Sequence, residues 1–237
     1  MAGESLKGTW VVISRAFRQF YDQLGMVVFL SITWFLLGFG PGAYFSLMLM
    51  NQIGLYAVLV TIIGLSLISG PVTAAIYAGA HYLVTENTFN MRELWRAFRV
   101  HYKSAAKATA VMLVILVVLL IDVAWFMQYK SGFIRWLGYF WWYLVILWGL
   151  MGIYVFPFIV YKPILTRDVL KKAVLMALDN LVISIFALAL TGGVIYICIR
   201  LRAPLVFLMA GFISLLHMVT FLWLMDKYED EPADDQS

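Results

Sequence analysis

Long apolar stretches alternate with short basic segments along this chain. Between Asp22 and Glu86 lie 63 residues without Asp, Glu, Lys or Arg. A helix needs about 20 apolar residues to cross a bilayer, so this stretch predicts two spans joined by a polar turn. Four further apolar stretches predict four more spans. The six predicted spans lie near 24–46, 55–84, 105–127, 136–161, 181–199 and 203–225.

Three segments beside the spans carry apolar residues at helical spacing, with charged residues between them. The first, 1–23, is expected to lie along the membrane interface. The second, near 91–104, opens with Asn90 as a helix N-cap and with Glu93 three residues later, as in a capping box. The third lies near 166–180. These segments predict amphipathic helices outside the hydrocarbon.

The composition and the placement of charge fit a membrane protein. Hydrophobic residues make up 64% of the 237 residues and charged residues only 13%, against about 25% charged in soluble domains. With the N-terminus inside, 13 of the 17 Lys and Arg residues fall on the inner segments, as the positive-inside rule requires. We therefore expect an all-α polytopic transmembrane helix bundle of about six spans. The protein would lie in a bacterial plasma membrane, with both termini in the cytoplasm.

The end of the chain has the opposite charge. Residues 226–237 hold six acids and one lysine, a composition typical of a disordered tail. Such a tail either keeps the end soluble or docks on the basic inner helices or on a partner. The 1–23 segment, a transmembrane domain over 24–225 and this tail are the three expected parts of the chain.

The sequence offers little support for catalysis. Common nucleotide-binding and hydrolase motifs are absent. The three histidines have no metal-ligand spacing, and the single cysteine, Cys198, excludes an internal disulfide. We expect neither a cofactor nor a metal, and no enzymatic activity.

Two ionisable residues inside predicted spans are candidates for a polar site. An intramembrane carboxylate or histidine is a functional hypothesis by default. Asp122 would serve as a proton or cation site, or else would lie near the headgroups or pair with Lys130 or Arg135. His217 would relay protons, or else form an interhelical hydrogen bond.

Two prolines interrupt predicted spans. Pro71 and Pro157 each remove a backbone donor and bend their helices. Paired broken helices mark binding sites in many transporters; alternatively, the bends only direct the chain onto the inner helices. Asn180, where the second inner helix meets the fifth span, is expected to bind carbonyl groups at that bend; the alternative role is ligand binding.

Basic and aromatic residues cluster on the two inner helices, and we expect them to form one cytoplasmic platform. Its predicted members are Arg92, Trp95, Arg96, Phe98, Arg99, Lys103, Lys171 and Lys172. Because this surface lies against the inner leaflet, attraction to anionic lipid explains its charge without nucleic acid. Several other tryptophans fall where an outer aromatic belt is normal.

Two blocks of the sequence, 70–111 and 154–185, resemble the YesL-like family of uncharacterised bacterial integral membrane proteins. The first block starts with a Pro-x-Thr-Ala-Ala motif and leads to an aromatic-basic helix. The second has a Phe-Pro motif before an Ala-Leu-x-Asn helix. The matching positions are Pro71, Thr73, Ala74, Ala75, Trp95, Phe98, Phe156, Pro157, Ala177, Leu178 and Asn180. Members are often encoded beside carbohydrate importers of the ATP-binding-cassette type, so the resemblance implies an accessory role near such a permease.

Two functions are therefore open. The first is a non-enzymatic accessory or interaction subunit that contacts a membrane protein, such as a sugar importer, through its cytoplasmic platform. The alternative is a small transporter or channel with a site between the proline-bent helices. A polar cavity between the spans favours the transporter, and a solid apolar bundle favours the accessory protein.

Overall fold

The computed structural model describes residues 2–41, 55–128, 132–162, 164–201 and 203–230, and every regular element among them is helical. Two predictions from the sequence fall outside the described residues. They are the polar turn at 42–54 and the pairing of Asp122 with Lys130 or with the Arg135 side chain. The helices are α1 (Ala2–Asp22), α2 (Leu24–Trp34, continued by a π-helical segment, Phe35–Phe39), α3 (Leu55–Glu86), α4 (Met91–Met127), α5 (Gly132–Tyr161), α6 (Thr166–Asp179), α7 (Leu181–Leu201), α8 (Ala203–Phe207) and α9 (Met209–Asp230). The predicted all-α membrane bundle is confirmed.

Five helices, α3, α4, α5, α7 and α9, are each long and apolar enough to cross a membrane. A bent pair formed by α1 and α2 brings the number to six if it is one further span. Large apolar side chains stand exposed along α4, among them Val114, Val118 and Ile121. An apolar surface of this extent is expected to face lipid.

The described parts of the segments that were expected to be cytoplasmic lie at one end of the bundle. Helices α3 and α5 run in the same direction, because Tyr77 contacts Phe156 and, four residues later on α3, His81 contacts Tyr161. The two helices therefore end on the same side of the bundle. Helix α4, which follows α3, begins there, and α6, which follows α5, lies there. At the same end the Asn180 amide meets Tyr228 near the end of α9. The start of α1 lies there too, because Gly8 packs against Trp223. We call this end the termini side.

Helix α1 lies at right angles to α2. The angle between the two helices is 90°, and Gln23 forms the corner. Its side-chain amide donates to the Leu83 carbonyl oxygen at 3.2 Å and to the Asn87 side-chain oxygen at 3.1 Å. Asn87 takes a positive φ of 60°, which asparagine tolerates better than most residues. Helix α1 packs along α9 in the opposite direction, from Gly8 at Trp223 to Phe17 at Phe212. That α1 lies along the membrane interface stays a prediction.

Two boundaries differ from the sequence predictions. The amphipathic segment near 91–104 and the span at 105–127 form one unbroken helix, α4. The Glu93 carboxylate accepts the Asn90 backbone N–H at 2.7 Å, so the predicted cap is where α4 starts. The acidic tail begins later than 226, because α9 continues to Asp230; residues 231–237 lie outside the described residues.

Two apolar cores share α3 and α9. One contains Tyr154 and Phe221 together with residues of α4, α6 and α7. The other contains Val12 of α1, Leu30 of α2 and Leu215 of α9. Because apolar burial gives membrane helices little driving force, close packing has to hold them together. A Cβ atom on Gly79 would come within 2.7 Å of Leu30 and 2.9 Å of Leu94, so glycine permits the approach of α2 and α4 to α3.

Candidate functional site

The two segments that carry the family resemblance meet inside the bundle. The Tyr77 ring on α3 stacks on the Phe156 ring on α5, with centroids 5.3 Å apart and planes inclined by 21°. Ala74, three residues before Tyr77, is fully buried. Pro157 follows Phe156 within α5. Aromatic rings therefore occupy the space between the two proline-containing helices at this level.

Tyr77 also starts a buried chain of hydrogen bonds across three helices. Its hydroxyl lies 2.6 Å from Nδ1 of His217 on α9, and Nε2 of His217 lies 2.9 Å from the Thr191 hydroxyl on α7. Thr191 donates its own proton to the Ala187 carbonyl oxygen. The Thr191 oxygen therefore accepts from Nε2–H, and Nδ1 accepts from the Tyr77 hydroxyl. A neutral imidazole satisfies all these groups.

This chain is closed to solvent. Tyr77 is 6% exposed, His217 5% and Thr191 9%. Within the described residues no carboxylate hydrogen-bonds to any of the three side chains, and no cluster of His, Cys, Asp and Glu could hold a metal ion. The geometry therefore gives His217 an interhelical structural bond.

A second polar chain joins α5 to the end of α9. The Ser184 hydroxyl donates to the Asn180 carbonyl oxygen at 2.9 Å and accepts from the Tyr154 hydroxyl at 2.7 Å. The Asn180 amide donates to the Tyr228 hydroxyl at 2.6 Å and to the Met176 carbonyl oxygen at 3.4 Å. Asn180 thus connects α6, α7 and α9 at the bend between the inner helix and the span.

Helix α3 continues unbroken through Pro71 and is bonded to α2 beside it. Thr73 donates to the Ser69 carbonyl oxygen at 2.7 Å and accepts from the Trp34 indole N–H at 3.0 Å. The Ser69 hydroxyl donates to the Gly38 carbonyl oxygen at 2.6 Å. Gly38 lies in the π-helical segment of α2, where the regular pattern of carbonyl bonds is interrupted. The π-helical segment of α2 and the part of α3 beside Pro71 are therefore joined by side-chain hydrogen bonds.

Asp122 lies far from His217. It is half-buried on α4, 28 residues after Leu94. Leu94 packs against Gly79, two residues beyond Tyr77 on α3. At 1.5 Å per residue, Asp122 is about 42 Å along α4 from that level. The two intramembrane polar candidates do not form one site.

The basic and aromatic residues of α4 lie on its first four turns, at the termini side. Trp95 is 56% exposed and stacks on Phe98 with centroids 5.4 Å apart. The Arg99 guanidinium lies 5.0 Å from the centre of the Trp95 ring, a cation–π contact. Arg92, Arg96 and Lys103 are exposed as well.

Helix α6 carries the other basic residues. Val169 and Ala173 are fully buried against the bundle, while Lys171 and Lys172 are exposed. Leu175 and Leu178 are also exposed, at 59% and 49%. Lys171, Leu175 and Leu178 follow at spacings of four and three residues, which places them on one helix face. This face mixes apolar and basic groups.

Sequence reasoning did not single out Tyr77, Thr191, Tyr154 or Ser184 as polar partners. All four are uncharged residues within apolar helices, where tyrosine, serine and threonine are common. Their pairing depends on how α3, α5, α7 and α9 pack. Three of them, Tyr77, Tyr154 and Ser184, lie in the blocks that carry the resemblance, whereas Thr191 lies outside both.

These features define a multi-pass helical membrane protein with a basic, aromatic surface on one side. Its interior is filled by aromatic and hydrogen-bonded side chains between the described parts of α3, α5, α7 and α9. Comparisons with protein-family models, with curated proteins and with solved structures find no match.

Proposed function

We propose that this protein is a non-enzymatic accessory or interaction subunit of the bacterial plasma membrane. It contacts another membrane protein through the termini side, with the platform residues of α4 and α6 at the interface. The proposal takes the termini side to be cytoplasmic, as the distribution of Lys and Arg predicts.

The exposed face of α6 is the observation that carries the proposal. A helix outside the bilayer gains nothing by presenting leucines to water, yet Leu175 is 59% exposed and Leu178 49%. Leu165, the residue just before α6, is 75% exposed. Exposed apolar groups rimmed by charge are typical of protein interaction sites. Lys171 and Lys172 beside them favour a partner surface that contains acidic residues.

The filled interior favours this function over the alternative transporter or channel. A site between α3 and α5 would need space and unpaired polar groups near the two prolines. Tyr77 and Phe156 stack there, and both nitrogens of His217 are engaged. A cavity beside α1, α7 and α9 measures only about 10 Å³, about the least volume that holds one water molecule.

The resemblance to YesL-like proteins supports a choice of partner. Since members of that family are often encoded beside carbohydrate importers, the partner we propose is a membrane subunit of such an importer. Its cytoplasmic loops would supply acidic and apolar side chains to α6.

Affinity capture in mild detergent, from cells grown on different sugars, tests this function. The tagged wild-type chain should retain an importer subunit, and Lys171→Glu/Lys172→Glu should lose it, because the reversed charges repel an acidic surface. The matched control is Arg15→Glu/Arg18→Glu, which changes the same charge on α1 and should still retain the partner.

Recovery of this chain alone under every growth condition would contradict an accessory role. Reconstituted vesicles distinguish the accessory subunit from the alternative transporter or channel. Solute or proton flux that depends on His217 would favour a transporter.

A further inference from the structure

An apolar groove runs along the outside of the bundle between α2, α3 and α4. Its volume is about 420 Å³, and its lining comprises Thr33, Leu37, Pro41, Ile68, Val72, Ala75, Ile76, Met91, Leu94, Trp95 and Phe98. The Thr33 hydroxyl is already bonded to the Phe29 carbonyl oxygen at 2.9 Å. The wall therefore offers a ligand almost purely apolar contact.

A polar cavity adjoins the groove at the termini side. It measures about 520 Å³ and shares Met91 with the groove; Arg92 and Arg96 line it. These two arginines are exposed and one helical turn apart, and within the described chain no carboxylate pairs with either. The nearby Glu93 carboxylate is bound to the Asn90 N–H. Two free guanidinium groups at one end of an apolar groove suit an anionic head group.

The dimensions of the groove fit an acyl chain. Gly79 packs against Leu94, so the α4 part of the groove, 91–98, continues the α3 part, 68–76. At 1.5 Å per residue these parts cover about 10 and 12 Å, or about 22 Å together. One leaflet of hydrocarbon is about 15 Å thick. Trp95, which lines the groove, lies between Arg92 and Arg96 along α4, and tryptophan commonly marks the membrane interface.

From this arrangement we infer that the groove binds one anionic phospholipid from the leaflet on the termini side. An acyl chain lies against α2 and α3, and the phosphate is bound by Arg92 and Arg96. The groove opens sideways from helices that cross the membrane, so lipid reaches it directly. This inference does not depend on the proposed partner.

Native mass spectrometry of the full chain in mild detergent, titrated with phosphatidylglycerol, tests the inference. The wild type should retain one phosphatidylglycerol molecule, and Arg92→Gln/Arg96→Gln should weaken its retention about 30-fold, given the usual attraction of a basic residue for anionic lipid. Retention of phosphatidylcholine should change little. Arg15→Gln/Arg18→Gln, which removes two exposed charges from α1, should leave retention near the wild-type value.

A second pair of variants examines the groove itself. Leu37→Trp places a larger ring at an exposed wall position and should reduce retention with the arginines intact; Ile121→Trp, equally exposed on α4, should not. An equal loss in both arginine pairs would mean diffuse charge attraction and would overturn the inference. Wild-type retention in Leu37→Trp, or a lipid-independent dimer that covers the groove, would overturn it as well.

Discussion

The hydrogen bond between Tyr77 and His217 gives the sharpest stability prediction. Tyr77→Phe keeps the ring stack on Phe156 but removes the hydroxyl that donates to Nδ1 of His217. Both side chains are almost fully buried, so the abandoned nitrogen finds no water. An unsatisfied buried acceptor costs about 1–3 kcal/mol, whereas interhelical bonds in membrane proteins average about 0.6 kcal/mol and reach about 1.7.

The 2.6 Å separation and the low exposure place this bond toward the upper end of the membrane range. We therefore expect a coupling energy of about 1–1.5 kcal/mol between Tyr77→Phe and His217→Leu in a double-mutant cycle. Equilibrium unfolding in mixed detergent and denaturing micelles measures it. Tyr196→Phe, at a tyrosine 61% exposed on α7, serves as the control and should change stability by less than about 0.5 kcal/mol.

A coupling energy near zero would refute the reasoning. It would mean that the hydroxyl and the imidazole are not bonded, or that water replaces the lost donor. Either result would reopen His217 as a hydrated polar site and would weaken the case for a filled interior.

Two further predictions concern the packing of α1 and α2. A Cβ atom on Gly211 would collide with the Val27 backbone carbonyl oxygen. In a thermal unfolding assay, Gly211→Ala should therefore destabilise the protein by about 1–3 kcal/mol. The control Gly192→Ala, at a glycine with open space around it, should be neutral or slightly stabilising. Gln23→Ala should remove the hydrogen bonds that hold the corner between α1 and α2 to the end of α3. Limited proteolysis should then cut α1 faster than in the wild type. An unchanged cleavage rate would contradict the anchoring role of Gln23.

The fold class and the start of α4 were predictable because they rest on local signals. Uncharged stretches long enough to cross a bilayer indicate spans on their own, and Asn90 with Glu93 marks a helix start through neighbouring residues. The end of α9 was not predictable from charge. Its last residues stay helical up to Asp230, where the Asn180 amide, distant in sequence, bonds to Tyr228.

The buried polar chains were beyond sequence reasoning for the same reason. His217 attracted attention as an ionisable residue, but Thr191 and Tyr77 become its partners only when α3, α7 and α9 pack together. The groove likewise depends on how α2, α3 and α4 pack against one another. The basic stripe on α4 was visible from helical spacing alone, whereas its position at the end of an apolar groove was not.

Photo-crosslinking in living cells tests the central claim most directly. A photoreactive phenylalanine analogue replaces Leu175 on the exposed face of α6, and in a matched strain it replaces Ile199, which is 60% exposed near the other end of α7. The account predicts a crosslink from position 175 to an importer membrane subunit, identified by mass spectrometry, and none to that subunit from position 199. If position 175 crosslinks only to lipid or to this chain itself, the termini side is not a partner-binding surface.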